Sequence, residues 1–453
     1  MQPSPGSLPP PESGGTKPGE AAQHSTALLT DHYELTMLQG ALQSGVAERR
    51  AVFEVFGRSL PAGRRYGVVA GTGRLLEALE SFRFRAAELD DLRGRAIVDD
   101  RTLAWLADYR FSGDVDGMAE GEVWFPDTPI LSVRGSLAEC VILETLLLSV
   151  LNHDCAIAAA AARMTGAAGE RPCVEMGSRR THELAAVAAA RAAYIVGFRA
   201  SSNLEAGRRY GVPTTGTSAH AFTLAHDDER SAFAAQVAAL GPATTLLVDT
   251  YDVSQGVQTA VEVAGTQLGA VRLDSGDLGA LAVEVRQQLD ELGATGTRIV
   301  VTSDLDEFAI AGLASAPVDS YGVGTSLVTG SGAPTAGFVF KLVERDGVPV
   351  AKRSTGKPSR GGRKVASRLV DADGQALADV VRPARDGGRE NGEVNRSGER
   401  PLLVPLVRRG SRVDGSTLDD ARERFRLSRA ELPREAFQLS RGEPALPTVL
   451  EGF

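Results

Sequence analysis

Thr244-Thr245-Leu246-Leu247-Val248-Asp249-Thr250 is a short apolar run that ends on an aspartate, and Gly269-Ala270-Val271-Arg272-Leu273-Asp274 repeats that form further along the chain. A helical pattern near Gln255 to Gln267 separates the two runs, and a second, Leu278 to Leu292, follows the latter. Thr297 to Val301 and Ser320 to Val323 continue the series. The residues that close these runs, Asp249, Asp274, Asp304 and Gly324, recur every 20–30 residues or so, roughly the length of one βα unit. Such alternation predicts an α/β fold with a parallel sheet, and a β/α barrel is its closed form. In parallel α/β proteins ligands bind where strands end, so the polar residues at these exits become neighbours in space.

Outward from this core the pattern changes. Thr26 to about Gly45 reads as a helix, Ala51 to Phe56 as a strand, and Gly71 to Phe82 as an amphipathic helix. Residues 83–135 are mixed and read as a small separate lobe. Beyond the barrel come strand-like runs at Phe338 to Glu344, Val348 to Lys352, Lys364 to Leu369 and Leu402 to Leu406. A charged amphipathic helix over Thr417 to Phe437 is broken by Pro433. The expected organisation is a Pro-, Gly- and Ser-rich disordered tail (1–24), an N-terminal α/β lobe (25–136), the barrel (137–340), and a C-terminal segment with a helical tail that completes the lobe (341–453). The tail lacks the charged start and apolar run of a signal peptide. Cys140 to Ala162 is strongly apolar but carries Glu144, His153 and Asp154, which predicts a buried helix pair rather than a membrane span.

The chain of 453 residues has 43 % hydrophobic and 24 % charged residues and a net charge of −9. That balance argues against nucleic acid as the main partner, because such binding needs a concentrated basic face. Cys140, Cys155 and Cys173 have no CxxC spacing and read as reduced core thiols of a cytoplasmic protein.

Four segments carry the chemistry. In Gly216-Thr217-Ser218-Ala219-His220 small residues let backbone approach a ligand, and the imidazole can serve as base, ligand or covalent nucleophile. His24, His32, His153, His182 and His226 lack that context. Arg272-Leu273-Asp274-Ser275-Gly276-Asp277 joins a guanidinium to two carboxylates; Asp274 and Asp277 suit ribose hydroxyls or a Mg²⁺ ion bridging a diphosphate. In Glu175-Met176-Gly177-Ser178-Arg179-Arg180 the arginines stand before a helix N-terminus, where anions are favoured. Tyr321-Gly322-Val323-Gly324-Thr325-Ser326 offers successive N–H groups and two hydroxyls to a phosphate. Together they predict a barrel enzyme acting on a phosphorylated sugar, with a reactive histidine.

These segments, in this order, resemble those of the nicotinate phosphoribosyltransferase family. So do Leu29-Thr30-Asp31-His32-Tyr33-Glu34-Leu35-Thr36-Met37, Arg65-Tyr66-Gly67, Val248-Asp249-Thr250-Tyr251-Asp252, Ser303-Asp304-Leu305-Asp306-Glu307 and Lys341-Leu342-Val343-Glu344. The likeness runs from about Leu28 to Lys364. It implies a distorted barrel joined to an α/β lobe, a cytoplasmic homodimer with shared active sites, and the first step of NAD salvage from nicotinate. Nicotinate and phosphoribosyl pyrophosphate would give nicotinate mononucleotide and pyrophosphate, coupled as in a ligase to ATP hydrolysis through a phosphohistidine, with Mg²⁺.

By motif match the histidine is His220. Arg179 is expected beside the pyridine ring and phosphates, Arg272 at the nicotinate carboxylate or diphosphate, and Asp274 at the ribose hydroxyls. Thr217 joins the substrate-binding group. Gly322, Gly324 and Thr325 match the 5′-phosphate loop, and Ser303 and Asp304 are grouped with them. Tyr33, donated across the dimer, is expected to stack on the ring. Met176 stands where the family often has an aromatic residue, and can pack on the ring through sulfur. Lys352, Ser354, Lys357 and Lys364 resemble the family's basic segment near the ATP or pyrophosphate end. Nicotinamide-specific relatives carry an aspartate where this chain has Ser202, and Ser202 beside Asn203 can donate to a carboxylate without repelling it. The alternatives are a nicotinamide- or quinolinate-using transferase and a non-catalytic phosphosugar-binding sensor. A generic aldolase-like barrel lacks its Schiff-base lysine.

Overall fold

A computed structural model describes residues 25–352, 359–384 and 397–453. Six short strands form one parallel sheet in the order Ala200–Ser201, Cys173–Glu175, Ser320–Val323, Arg298–Val301, Ala270–Leu273, Thr245–Leu247. Their apolar side chains, among them Val271, Leu273, Ile299, Val301 and Val323, are fully buried, as expected for strands covered on both faces. Helices Glu183–Ile195, Val253–Ala264, Leu278–Glu291 and Glu307–Gly312 follow the strand exits.

The expected barrel is a curled half-barrel. Among the described residues no ladder joins Ala200–Ser201 to Thr245–Leu247. Between them the chain forms the helices Leu204–Tyr210, His220–Leu224 and Glu229–Leu240, and Thr214 makes a single bridge to Ser201. With no further strand in that interval, the sheet stays open beside the His220 loop.

The second unit is a seven-stranded sheet, ordered Val348–Pro349, Phe338–Arg345, Arg50–Gly57, Pro129–Ser136, Asp114–Met118, Leu403–Arg408, Ser411–Arg412. Strands from before and after the half-barrel in sequence therefore share one sheet. Residues 83–135 do not form a lobe of their own, because two of this sheet's central strands come from them. A four-stranded sheet, Glu399–Pro401, Lys364–Val370, Ala376–Pro383 and Thr448–Leu450, adjoins it.

Both units are packed on one helix. The apolar run Leu137–Ala168 is long enough to cross a membrane, with mean hydropathy 1.6, but most of it is buried inside the protein. It comprises the short helix Leu137–Val141 and the 25-residue helix Glu144–Ala168. Leu146, Leu147, Val150 and Leu151 lie in the lobe core, whereas Ile157, Ala158, Ala161 and Ala162 lie in the half-barrel core. The alanine run lets other helices approach closely.

A buried ion pair fastens the two units. The Glu307 carboxylate accepts from Arg163 Nε at 2.8 Å and from Arg64 Nη1 at 3.4 Å, and Arg64 also donates to the Gly330 carbonyl at 2.8 Å. Burial opposes the charge on Glu307, yet bonds from Ser331 and Arg163 outweigh it and hold this carboxyl below its ordinary range.

Candidate functional site

All six parallel strands deliver their exits to one edge of the sheet, and His220 stands there at the start of its helix. Its Nδ1 lies 3.1 Å from Thr250 Oγ1. Its Nε2 lies 3.9 Å from Asp249 Oδ1 and 3.8 Å from Asp274 Oδ2, and 40 % of the side chain is exposed. The imidazole thus faces an open, polar space rather than hydrocarbon. The Asp249 side chain is almost fully buried. Its Oδ2 accepts from the Asp274 N–H at 3.0 Å and from Ser275 Oγ at 2.7 Å, while Oδ1 has no hydrogen-bond partner among the described residues. Asp274 Oδ1 accepts from Thr302 Oγ1 on the neighbouring strand exit. Two braced carboxylates therefore flank the imidazole. Asp249 is absent from the sequence-derived site residues, although its position at a strand exit, like that of Asp274, was the available signal.

Arg272 donates from Nη1 to Thr217 Oγ1 at 2.9 Å and to the Ser218 carbonyl at 3.2 Å, pinning the His220 loop to the sheet. Burial is the main cause that weakens its hold on the proton, and the nearby charge of Arg179 acts in the same direction. The charges of Asp274 and Asp249 oppose that shift. Two guanidinium groups thus share one neighbourhood, a setting that favours an anion between them. Asp277 is directed otherwise: its Oδ1 accepts from the Ala280 N–H at 3.2 Å as the N-cap of Leu278–Glu291.

On the adjoining exits, the Met176 N–H donates to the Val323 carbonyl at 2.8 Å. Gly322 is small by necessity: a Cβ there would come within 2.6 Å of Thr302 Cγ2 and 2.8 Å of Met176 Sδ. The methionine sulfur therefore lies over bare backbone. Gly324 precedes the one-turn helix Thr325–Val328, with Thr325 exposed. Ser303 is exposed with φ at +108°, and Asp304 beside it is exposed too. Ser202 is exposed at the end of its strand, and Asn203 caps Leu204–Tyr210 through the Ala206 N–H at 2.9 Å.

The structure brings His220, Asp274, Arg272, Thr217, Arg179, Met176, Ser202, Asn203, Ser303, Asp304, Gly322, Gly324 and Thr325 to this edge. Tyr33, Lys352 and Lys364 belong to the lobe. Tyr33 is 45 % exposed on the helix His32–Ser44, where burial and then the charges of Glu144 and Glu34 push its hydroxyl pKa up. Lys364 is buried, with Nζ 2.6 Å from Glu54 Oε2 and 3.0 Å from the Arg360 and Gly362 carbonyls. Lys352 is exposed, and its N–H donates to Ser359 Oγ at 2.9 Å. Ser354 and Lys357 lie outside the described residues.

An open α/β half-barrel with arginines, carboxylates and an imidazole gathered at its strand exits has the make-up of an α/β enzyme whose cleft suits an anion. Comparison with known proteins makes this specific. Residues 28–152 match the model for the nicotinate phosphoribosyltransferase (NAPRTase) N-terminal domain. The chain is 60 % identical to nicotinate phosphoribosyltransferase pncB1 of Mycobacterium tuberculosis over 97 % of its own length and 98 % of the relative's. It is 43 % identical to pncB2 of the same organism, over 91 % and 89 %. The crystal structure of human nicotinic acid phosphoribosyltransferase superposes with a TM-score of 0.80 at 28 % identity, covering 93 % of this chain and 97 % of that one. The chain belongs to the nicotinate phosphoribosyltransferase family.

Proposed function

We propose that the protein transfers phosphoribose from phosphoribosyl pyrophosphate to the ring nitrogen of nicotinate, releasing nicotinate mononucleotide and pyrophosphate in NAD salvage. The observation that carries this reading is the convergence of His220, Asp249, Asp274 and Arg272 on the edge that also holds the Gly322–Thr325 turn. The C–O bond to pyrophosphate breaks, the ribose acquires oxocarbenium character, and the pyridine nitrogen closes on it. The protein's work is to neutralise the leaving diphosphate and hold the ring in line. Arg179 and Arg272 supply positive charge, Asp274 takes the ribose hydroxyls, and the Gly324–Thr325 turn takes the 5′-phosphate. Met176 offers one face for the ring.

ATP coupling runs through His220. Thr250 engages Nδ1, which leaves Nε2 to attack the γ-phosphorus of ATP as the bond to ADP breaks; Asp249 or Asp274 can take a proton from that nitrogen. Among the described residues no cluster of three or more His, Cys, Asp and Glu side chains is suited to holding a metal ion. Mg²⁺ nonetheless fits here, because the unpartnered Asp249 Oδ1 and the Asp274 carboxylate offer hard oxygen ligands and a diphosphate supplies the remainder. Bound there, the ion would offset diphosphate charge. Asp277 contributes less directly, since its Oδ1 is occupied by the helix cap.

The proposed unit is a cytoplasmic homodimer. Leu29, Tyr33 and Met37 project from the start of the lobe at helical spacing and are exposed, and a second copy would receive Tyr33 as the other face of the ring site. Exposed Lys352 would stand near the phosphates by the same exchange, whereas Lys364, buried against Glu54, would brace the strand behind it.

Turnover of nicotinate, nicotinamide and quinolinate with phosphoribosyl pyrophosphate, each with and without ATP, tests the proposal. Nicotinate should be preferred and ATP should stimulate it, whereas absence of nicotinate turnover would leave a phosphosugar-binding sensor as the better reading. His220→Ala should retain residual transfer and lose the ATP stimulation; full coupling in that variant would refute the phosphohistidine.

A further inference from the structure

Glu175 is completely buried at the end of its strand, and among the described residues no cation pairs with it. A buried carboxylate without a counter-charge is costly and persists only where its hydrogen bonds hold something in place. Its bonds are specific. One carboxylate oxygen accepts from the Gly177 N–H, in the loop that leads to Arg179. The other accepts from Ser201 Oγ, itself completely buried at the end of the adjacent strand. Ser201 Oγ in turn accepts from the Asn203 N–H at 2.8 Å, and Asn203 Nδ2 donates back to Ser178 Oγ at 3.0 Å.

The circuit closes on itself. It starts in the Met176–Arg180 loop, crosses to the Ser202–Asn203 loop, and returns. The Ser202 N–H donates to the Glu175 carbonyl at 2.8 Å, which sets the base of the circuit. From below, Gly177 presses on the Thr325–Val328 turn so tightly that a Cβ would lie 2.2 Å from Val328 Cγ1. Burial raises the Glu175 pKa, partly offset by the bonds from Ser201 and Gly177, so the site keeps an acid there at an energetic cost.

We infer that Glu175 and Ser201 are positioning residues that fix the gap between the Arg179 loop and the Ser202–Asn203 loop, and thereby set the preference for a pyridine carboxylate over a carboxamide. The inference rests on the proposed pyridine site and adds the pair that holds its two walls in register. Neither residue touches substrate. Each acts through the loop it anchors.

Steady-state kinetics of the full-length protein test it. Ser201→Ala should raise KM for nicotinate about tenfold, the loss of one to two buried hydrogen bonds. KM for phosphoribosyl pyrophosphate should stay within about twofold and kcat within about threefold, and the preference for nicotinate over nicotinamide should fall. Ser178→Ala, at the half-buried rim of the circuit, should do the same by about threefold and guards against misfolding of the buried variant. Combined, the two should act non-additively. If either folded variant leaves the nicotinate KM and the preference unchanged, or raises both KM values alike, the inference is overturned. Failure of the unaltered protein to use nicotinate would overturn the proposed function instead.

Discussion

At the scale of single residues, Ser303 stands out because its φ of +108° is one that side chains with a Cβ seldom adopt. It sits at a strand exit of the site, where backbone strain can hold N–H groups toward a ligand. Ser303→Gly should relax that strain and stabilise the fold by about 1 kcal/mol in urea unfolding, at the expense of loop order. Unchanged or lower stability would mean the serine conformation is not strained. Most of the site was legible residue by residue because small, charged and hydroxylic residues cluster at the ends of apolar runs. Asp249 was legible only as the end of an apolar run: its place in the site depends on its orphan oxygen lying beside His220, a relation across strands that local spacing does not supply.

At the scale of elements, strand exits followed the sequence closely, since apolar runs stop where polar residues begin. The ends of other elements moved. The first helix begins only at His32, and the run from Val348 keeps strand pairing only to Pro349, in part because proline cannot donate to a ladder. Openness of the sheet was not legible, because it depends on helices occupying the interval between Ser201 and Thr245. One of these, Glu229–Leu240, begins on a buried acid. Burial pushes Glu229 up to about 7, and the charges of Asp252 and Asp249 add to the shift. Its folded pKa exceeds the unfolded one, so the folded state holds the extra proton and stability declines as pH rises from about 4.5 to 7. Partial solvent screening limits the effect to about 1–2 kcal/mol. Glu229→Gln should flatten that slope, measured by urea unfolding at pH 5 and pH 8; an unaltered slope would clear Glu229 of the effect.

At the scale of the whole molecule, Glu307 couples the lobe to the strand exit at Asp304. Glu307→Gln would leave Arg163 and Arg64 buried without their anion, costing about 3 kcal/mol or more. Thermal melting should register this, and a shift of only a degree or two would show the brace to be dispensable. The proposed sharing of active sites between two copies predicts a separate outcome. Tyr33→Ala and His220→Ala proteins, each impaired, should regain ATP-stimulated activity when unfolded and refolded together, because mixed dimers contain one intact site. No recovery would mean that each chain builds its site alone.

The helix Glu144–Ala168 runs through both cores, its leucines in one and its alanines in the other. Neither half can be excised as an autonomous module: a cut before the helix strips one piece of its central pillar, and a cut after it does the same to the other. Gene fusions or circular permutants that respect this pillar should therefore survive, and the protein should melt in one step rather than two.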